Sequence, residues 1–300
     1  MASKRLGKDE QKEKHLDEDE FPLSGLLEES HLNKEQLAEK IISMIKNKEF
    51  KEVKLLSRKV AEISHIEGTS AQAARVFREL LNNMSSTETR VFAVNGLTRL
   101  IELGSKDAVK AIVDALTDPI QGTREAAALS ISKTSAQWFT LAPESMVILR
   151  ASLSDESVYV KEKIVLALAN LGVNGNLEAI GILAEGLISK DAEARILSAR
   201  AMAYISCNVL LPQNAIEAVS SLIDDPIYEI RKEALTAIGN AAERGADIKT
   251  IIASKIKEMA ISEGKNDELQ KIAQEAHRKI CASLANKDER ELAKYIADTD

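Results

Sequence analysis

One spacing constrains this chain more than any other feature. The segment DDPIYEIRKEALTAIG (Asp224 to Gly239) has two diverged copies upstream, TDPIQGTREAAALSIS (Thr117 to Ser132) and SDESVYVKEKIVLALA (Ser154 to Ala169). In each, an aspartate stands six positions before a basic residue: Asp118 before Arg124, Asp155 before Lys161 and Asp225 before Arg231. Small or aliphatic side chains follow the basic residue at +3, +4 and +7, such as Ala127, Ala128 and Ile131, or Ala234, Leu235 and Ile238. Helical geometry puts those offsets on one face. The same template matches more loosely at Lys54, Arg90, Arg195 and Gln270, which lack the aspartate at that offset. The seven anchors are separated by 36, 34, 37, 34, 36 and 39 residues. Such a period predicts a two-helix unit stacked on itself, because one pair cannot bury its apolar face alone.

Composition supports helices. Of 300 residues, 5 are Phe, 4 Tyr and 1 Trp, so aliphatic side chains and alanine must fill the interior, and no aromatic or β-branched alternation marks strands. A second amphipathic segment precedes each anchor, for instance Asp107 to Leu116, Leu177 to Ile188 and Asn214 to Ile223. Gly104, Gly172 and Gly245 follow anchored helices and are expected to end them in the left-handed region. Pro119 and Pro226 precede anchored helices and Pro143 and Pro212 the other type, where a missing donor does no harm. Seven pairs are expected, at about 34–66, 70–103, 106–136, 143–172, 176–207, 213–243 and 247–284, followed by a charged capping helix at about 287–298. The organisation is then a charged, disordered tail over 1–32 and a solenoid over 33–300.

The pattern Asp-Pro-x-x-x-(Val/Ile)-Arg, followed by an alanine-rich helix, resembles the HEAT repeat over about residues 33–300, most closely from Asp107 to Gly245. The resemblance implies an all-α, right-handed α-solenoid in which the anchored helix is the second of each pair and lines the concave side. It also implies an Asp–Arg ladder between adjacent units, which gives Asp118, Arg124, Asp155, Lys161, Arg195, Asp225 and Arg231 structural roles. Breaks in that ladder are expected at Lys161, a lysine where the pattern has arginine, and at Arg90 and Arg195, which lack the preceding aspartate.

Catalytic chemistry has little to stand on. The four histidines, His15, His31, His65 and His277, are scattered, and none forms the His-Glu pair by which the HEAT-repeat enzyme deoxyhypusine hydroxylase binds iron, so no metal is expected. His277, at +7 from Gln270, is expected to face the core. Cys207 and Cys281 sit in apolar company and are expected to be buried free thiols, in a reducing, cytoplasmic setting. The loop GVNGN lacks the lysine and the preceding strand of a phosphate cradle, and Asp224 and Asp225 read as helix caps. A HEAT-like DNA glycosylase would need aromatics on a basic surface, against which the single Trp138 and a net charge of −7 count; nothing points to a bilin lyase. Neither a cofactor nor enzymatic activity is expected, and no 18-residue apolar run suggests a membrane span.

A binding surface has more support. Offsets +2, +5 and +9 from each anchor project away from the core face at ~100 degrees per residue. That stripe holds Phe92, Asn95 and Arg99 in one unit, Leu129 and Lys133 in the next, then Lys163, Leu166 and Asn170, then Leu197, Arg200 and Tyr204. Apolar side chains with a basic fringe suit an extended acidic-hydrophobic peptide, although tight curvature would instead bury much of the stripe. Asn170 and Asn240 share the +9 offset, as in the backbone-holding asparagine ladder of armadillo proteins. Trp138 and Phe139, at a unit joint, read as packing residues. The reading is a non-catalytic scaffold or adaptor for a protein or peptide. An acidic segment, LDEDEFPLSGLLEE (Leu16 to Glu29), is expected to order on a partner or fold back on the solenoid. The alternative is nucleic-acid association through Lys46, Lys48, Lys51, Lys54, Arg58 and Lys59.

Overall fold

The computed structural model describes residues 36, 39, 42–43, 70–83, 85–135, 143–261 and 267–297, with side chains of the final helix over 268–286. The acidic segment, the lysine cluster around Lys54, Trp138 and Phe139 lie outside the described residues.

The described elements are all helical. They are α1 (Ser70–Asn83), α2 (Thr87–Glu102), α3 (Lys106–Asp114), α4 (Gln121–Thr134), α5 (Pro143–Ser152), α6 (Val158–Val173), α7 (Leu177–Leu187), α8 (Ala192–Ser206), α9 (Gln213–Ser220), α10 (Tyr228–Glu243), α11 (Thr250–Ile261) and α12 (Asp267–Ala297). Single 3-10 turns, Ala115–Thr117 and Ser221–Asp224, tighten the ends of α3 and α9 ahead of the two Asp-Pro steps. Six pairs result, and each even-numbered helix is one of the anchored helices. Even-numbered helices pack on one another in series, α2 on α4, α4 on α6 and onward to α12, more extensively than α3 packs on α5 or α5 on α7. A curved stack crowds its inner layer, so the anchored helices form the concave side.

Burial follows the repeat. Ala93, Val94 and Leu97 of α2, Ala127, Ala128 and Ile131 of α4 and Ala234, Leu235 and Ile238 of α10 are all shielded from solvent. The +6 offset is small throughout, Gly96, Ser130, Ala167, Ala201 and Ala237, and all of these but the half-buried Gly96 are buried. A methyl group added to Gly96 would fall inside contact distance of the Phe77 ring, and one on Gly239 would lie 3.1 Å from Ala276 Cα. Gly96 thus lets α2 close on its own partner α1, and Gly239 lets α10 close on the next inner helix, α12, because neither carries a side chain.

Helix ends are satisfied locally. Ser105, Ser157, Asn176 and Asp191 accept N-terminal amides of α3, α6, α7 and α8. Gly104 and Gly245 end their helices at φ 88° and 90°, as expected. Gly172 does not; it lies inside α6 against Ile205, and Gly175 is the left-handed residue at φ 89°. At Gly175 the amides of Gly175 and Asn176 donate to the carbonyls of Gly172 and Leu171, the paired bonds of a Schellman turn.

The ends differ from expectation in one respect. Residues 287–297 are not a separate cap but the distal turns of α12, which runs unbroken from Asp267 to Ala297. No glycine or proline interrupts this stretch, so no residue stops the helix. At the other end, Ile42 joins the core and Glu39 pairs with Arg75 of α1 at 2.5 Å, placing a helical stretch against the first described pair.

Candidate binding face

Adjacent concave helices are tied by a repeated polar device. Asp118, Asp155 and Asp225 each accept, through Oδ1, the backbone N–H two residues ahead, fixing the entry to their own helix. The other carboxylate oxygen takes a cation from the preceding unit: Arg90 on Asp118, Arg124 Nε on Asp155 at 2.8 Å and Arg195 Nε on Asp225 at 2.8 Å. Arg124, Arg195 and Arg231 also donate to the carbonyls five and six residues before them, closing the turn ahead of their own helix. The aspartate thus serves the unit that follows the cation, so an arginine without its own aspartate still finds a partner; Arg90 and Arg195 do not break the ladder. Lys161 reaches Glu193 instead of Asp191, which is left to cap α8. Hydrogen bonding to Glu193 raises the Lys161 pKa despite desolvation, and the bond to Asp155 raises that of Arg124. Arg231 contacts Asp225 and Pro226 of its own unit, while Lys232 and Tyr228 of that helix bond Glu268 of α12.

On that scaffold the stripe divides in two. Leu166 is 45% exposed and Tyr204 49% exposed, and Asn95, Arg99, Lys133 and Arg200 are open to solvent. Phe92 is only half-buried and packs edge to face on Phe77, ring centroids 6.2 Å apart. Leu197 also leans on the core, and Leu129 is half-buried. These three form the floor of the face, and Leu166 and Tyr204 rise from it. Lys163 stands 4.9 Å over the Tyr159 ring. Neither it nor Arg99 nor Lys133 has an acidic partner among the described residues, and Arg200 approaches Glu233 only at 4.0 Å.

Charge on the stripe is one-sided over four units. From α2 through α8 the +2, +5 and +9 positions include Arg99, Lys133, Lys163 and Arg200 and no acid. Glu233 and Glu275 end the basic stretch in α10 and α12.

The two asparagines are committed elsewhere. Asn170 Nδ2 donates to Ser132 O and Ser135 Oγ, both at 3.2 Å. Asn240 Nδ2 donates to Ser206 Oγ and Cys207 Sγ, while its Oδ1 accepts from Lys279 at 2.9 Å. Both amides join neighbouring units and so hold the concave layer together instead of projecting toward a peptide backbone. Arg244 does the same through the carbonyls of Ser206 and Cys207, a contact that lies at +13 and was invisible to the template.

The cysteines are a correction. Cys207 and Cys281 are both exposed. Cys207 is the C-terminal cap of α8, at the rim. In α12, Gln274 and Cys281 are exposed and His277 is half-exposed, at offsets that are buried in the inner units, because no described helix packs beyond them. His277 Nε2 lies 3.6 Å from Cys281 Sγ.

Residues 74–169 match HEAT repeats. The stacked helical pairs continue on either side of that stretch. The chain carries HEAT repeats there, within an all-helical solenoid. Among solved structures it is similar to the HEAT-like repeats protein of the archaeon Thermococcus onnurineus NA1, at 13% identity over 85% of this chain and 99% of that one, with a TM-score of 0.53. It is also similar to a designed armadillo repeat protein in complex with the peptide (KR)4, at 21% identity over 80% of this chain and 98% of that one, TM-score 0.44. A third is an engineered protein at 21% identity, covering 83% of this chain and 71% of that one, TM-score 0.46. No curated protein sequence matches it. No described helix is long and apolar enough to cross a membrane.

Proposed function

We propose that the protein is a non-catalytic interaction scaffold whose concave face, centred on Leu166 and Tyr204, holds an extended acidic-hydrophobic segment of a partner protein. One observation carries the reading: four basic side chains with no acid among them flank two protruding apolar side chains across α2 to α8. Leu166 and Tyr204 are each about half-exposed, so covering them supplies on the order of 1 kcal/mol apiece. The basic charges add orientation and a faster encounter more than affinity.

The test is an array of twelve-residue peptides of equal hydrophobicity that are acidic, neutral or basic, probed with the full chain. Selective retention of the acidic members is expected, weakened by salt and lost on Leu166→Glu with Tyr204→Glu. Equal retention of the three sets, or retention unaffected by the double substitution, would overturn it. The half-buried Phe92 is left unchanged, since a charge there would disturb its contact with Phe77.

A further inference from the structure

The chain contains a segment with the chemistry that the concave face asks for. From Leu16 to Glu29 it reads LDEDEFPLSGLLEE, with six acids and no base, and with Phe21, Leu23, Leu26 and Leu27 interleaved. The face offers the complement, Arg99, Lys133, Lys163 and Arg200 around Leu166 and Tyr204.

We infer that residues 16–29 dock along the concave face of their own chain and compete there with the partner. The inference rests on the function proposed above. Reach permits it. The chain joins the solenoid at the helical stretch of Gln36 and Glu39, whose Glu39 pairs with Arg75 of α1. Seventeen residues separate Asp19 from Gln36, and at about 3.3 Å per extended residue they span about 55 Å. Four steps of helix packing, at about 8–10 Å each, carry the path from that first stretch to α8. The acidic end then reaches Lys163 and Arg200, Leu23 falls over Leu166, and Leu26 falls over Leu129.

Tethering decides between this occupant and a free one. A linked segment sees its site at an effective concentration on the order of 1 mM, so an intrinsic Kd of about 100 µM leaves the site about 90% filled. A partner must then bind more tightly than the segment, or remove it.

The experiment uses a fluorescein-labelled peptide of residues 16–29 and three full-length proteins, read by anisotropy at low salt. They are the wild type, a tail variant (Asp17→Asn, Glu18→Gln, Asp19→Asn, Glu20→Gln, Phe21→Ser, Leu23→Ser) and that variant with Leu166→Glu. Circular dichroism checks that all three keep their helices. Binding to the tail variant at least tenfold tighter than to the wild type, abolished by Leu166→Glu, is the expected result. Equal affinity for wild type and tail variant would overturn self-occupancy while leaving the face as an acidic-peptide site. Failure of the peptide to bind the tail variant would overturn the inference, and binding of acidic array peptides to the same variant would show that the proposed function survives it. Binding that persists with Leu166→Glu would place the segment elsewhere and overturn it too.

Discussion

Replacing Arg195 by methionine isolates what the inter-unit ladder contributes. Methionine keeps most of the aliphatic stem and removes the charge. In the native chain, Arg195 Nε bonds Asp225 Oδ2 at 2.8 Å, with only 16% and 6% of the two side chains exposed, and the guanidinium also serves the carbonyls of Ser189 and Lys190. After the substitution the Asp225 carboxylate stays shielded, holding only the Ile227 N–H at 2.9 Å. Breaking a buried pair from one side costs about 3–5 kcal/mol, most of it the stranded charge. The Ser189 and Lys190 carbonyls lie near the surface, where water replaces the lost donor, so the lower half of that range is expected. Asp225→Asn added to Arg195→Met removes the stranded charge, and the double variant should therefore be more stable than the sum of single losses by about 1–3 kcal/mol. Urea denaturation followed by helical circular dichroism reads both quantities, with an unchanged slope as the check that one cooperative transition is compared. The exposed pair Arg278 and Glu275, at 65% and 51%, is the control, and its removal should cost under about 1 kcal/mol. Additive losses, or a cost for Arg195→Met no larger than the control, would refute the view that the ladder clamps α8 to α10.

Three other outcomes are expected. Ala234→Asp places an unpaired charge where nothing is exposed, and should cost on the order of 3 kcal/mol or more in the same denaturation assay. Gly96→Val should cost about 1–3 kcal/mol, because the added atoms meet the Phe77 ring, whereas the same change at Gly181, with nothing within 4 Å of an added methyl, should be milder. Hydrogen bonds from Gln121 and Ser157 lower the Glu125 pKa below the ordinary carboxylate value. A lowered folded-state pKa gives stability that is present above the unfolded value and lost as pH falls through the folded one. Glu125→Gln should therefore lower stability at pH 7, make little difference well below about pH 4.5, where the native carboxyl is already protonated, and so flatten the acid limb; an unaltered acid limb would contradict the role of those bonds.

The repeat was legible because its signal is local: an aspartate, a basic residue six positions on and apolar offsets all lie within one helix and its entry. What lies between units was not. The ladder seemed broken at Arg90 and Arg195 because the template sought the aspartate in the same unit, whereas the carboxylate that each arginine binds stands about thirty residues downstream, at Asp118 and Asp225. The Lys161–Glu193 pair escaped notice for the same reason. Small residues at +6 were visible as alanines but not as contacts, since nothing in one helix says how near its neighbour comes. Asn170 and Asn240 share an offset for a reason other than peptide binding: at +9 a short amide reaches the C-terminal turn of the preceding concave helix. The cysteines were misplaced by judging burial from apolar neighbours in sequence. Cys207 closes α8 at the rim, and Cys281 sits on the last helix, where the inner-unit burial rule loses its covering partner.

Photocrosslinking from the concave face tests the central claim most directly. With p-benzoylphenylalanine in place of Tyr204, irradiation should join the full chain to an acidic-hydrophobic peptide and not to its lysine-substituted counterpart, and excess unlabelled acidic peptide should suppress the adduct. The same photoprobe at Ile188, 71% exposed at the end of α7 in the outer layer, should give none. Equal labelling of both peptides at position 204, or labelling at position 188 alone, would contradict the account.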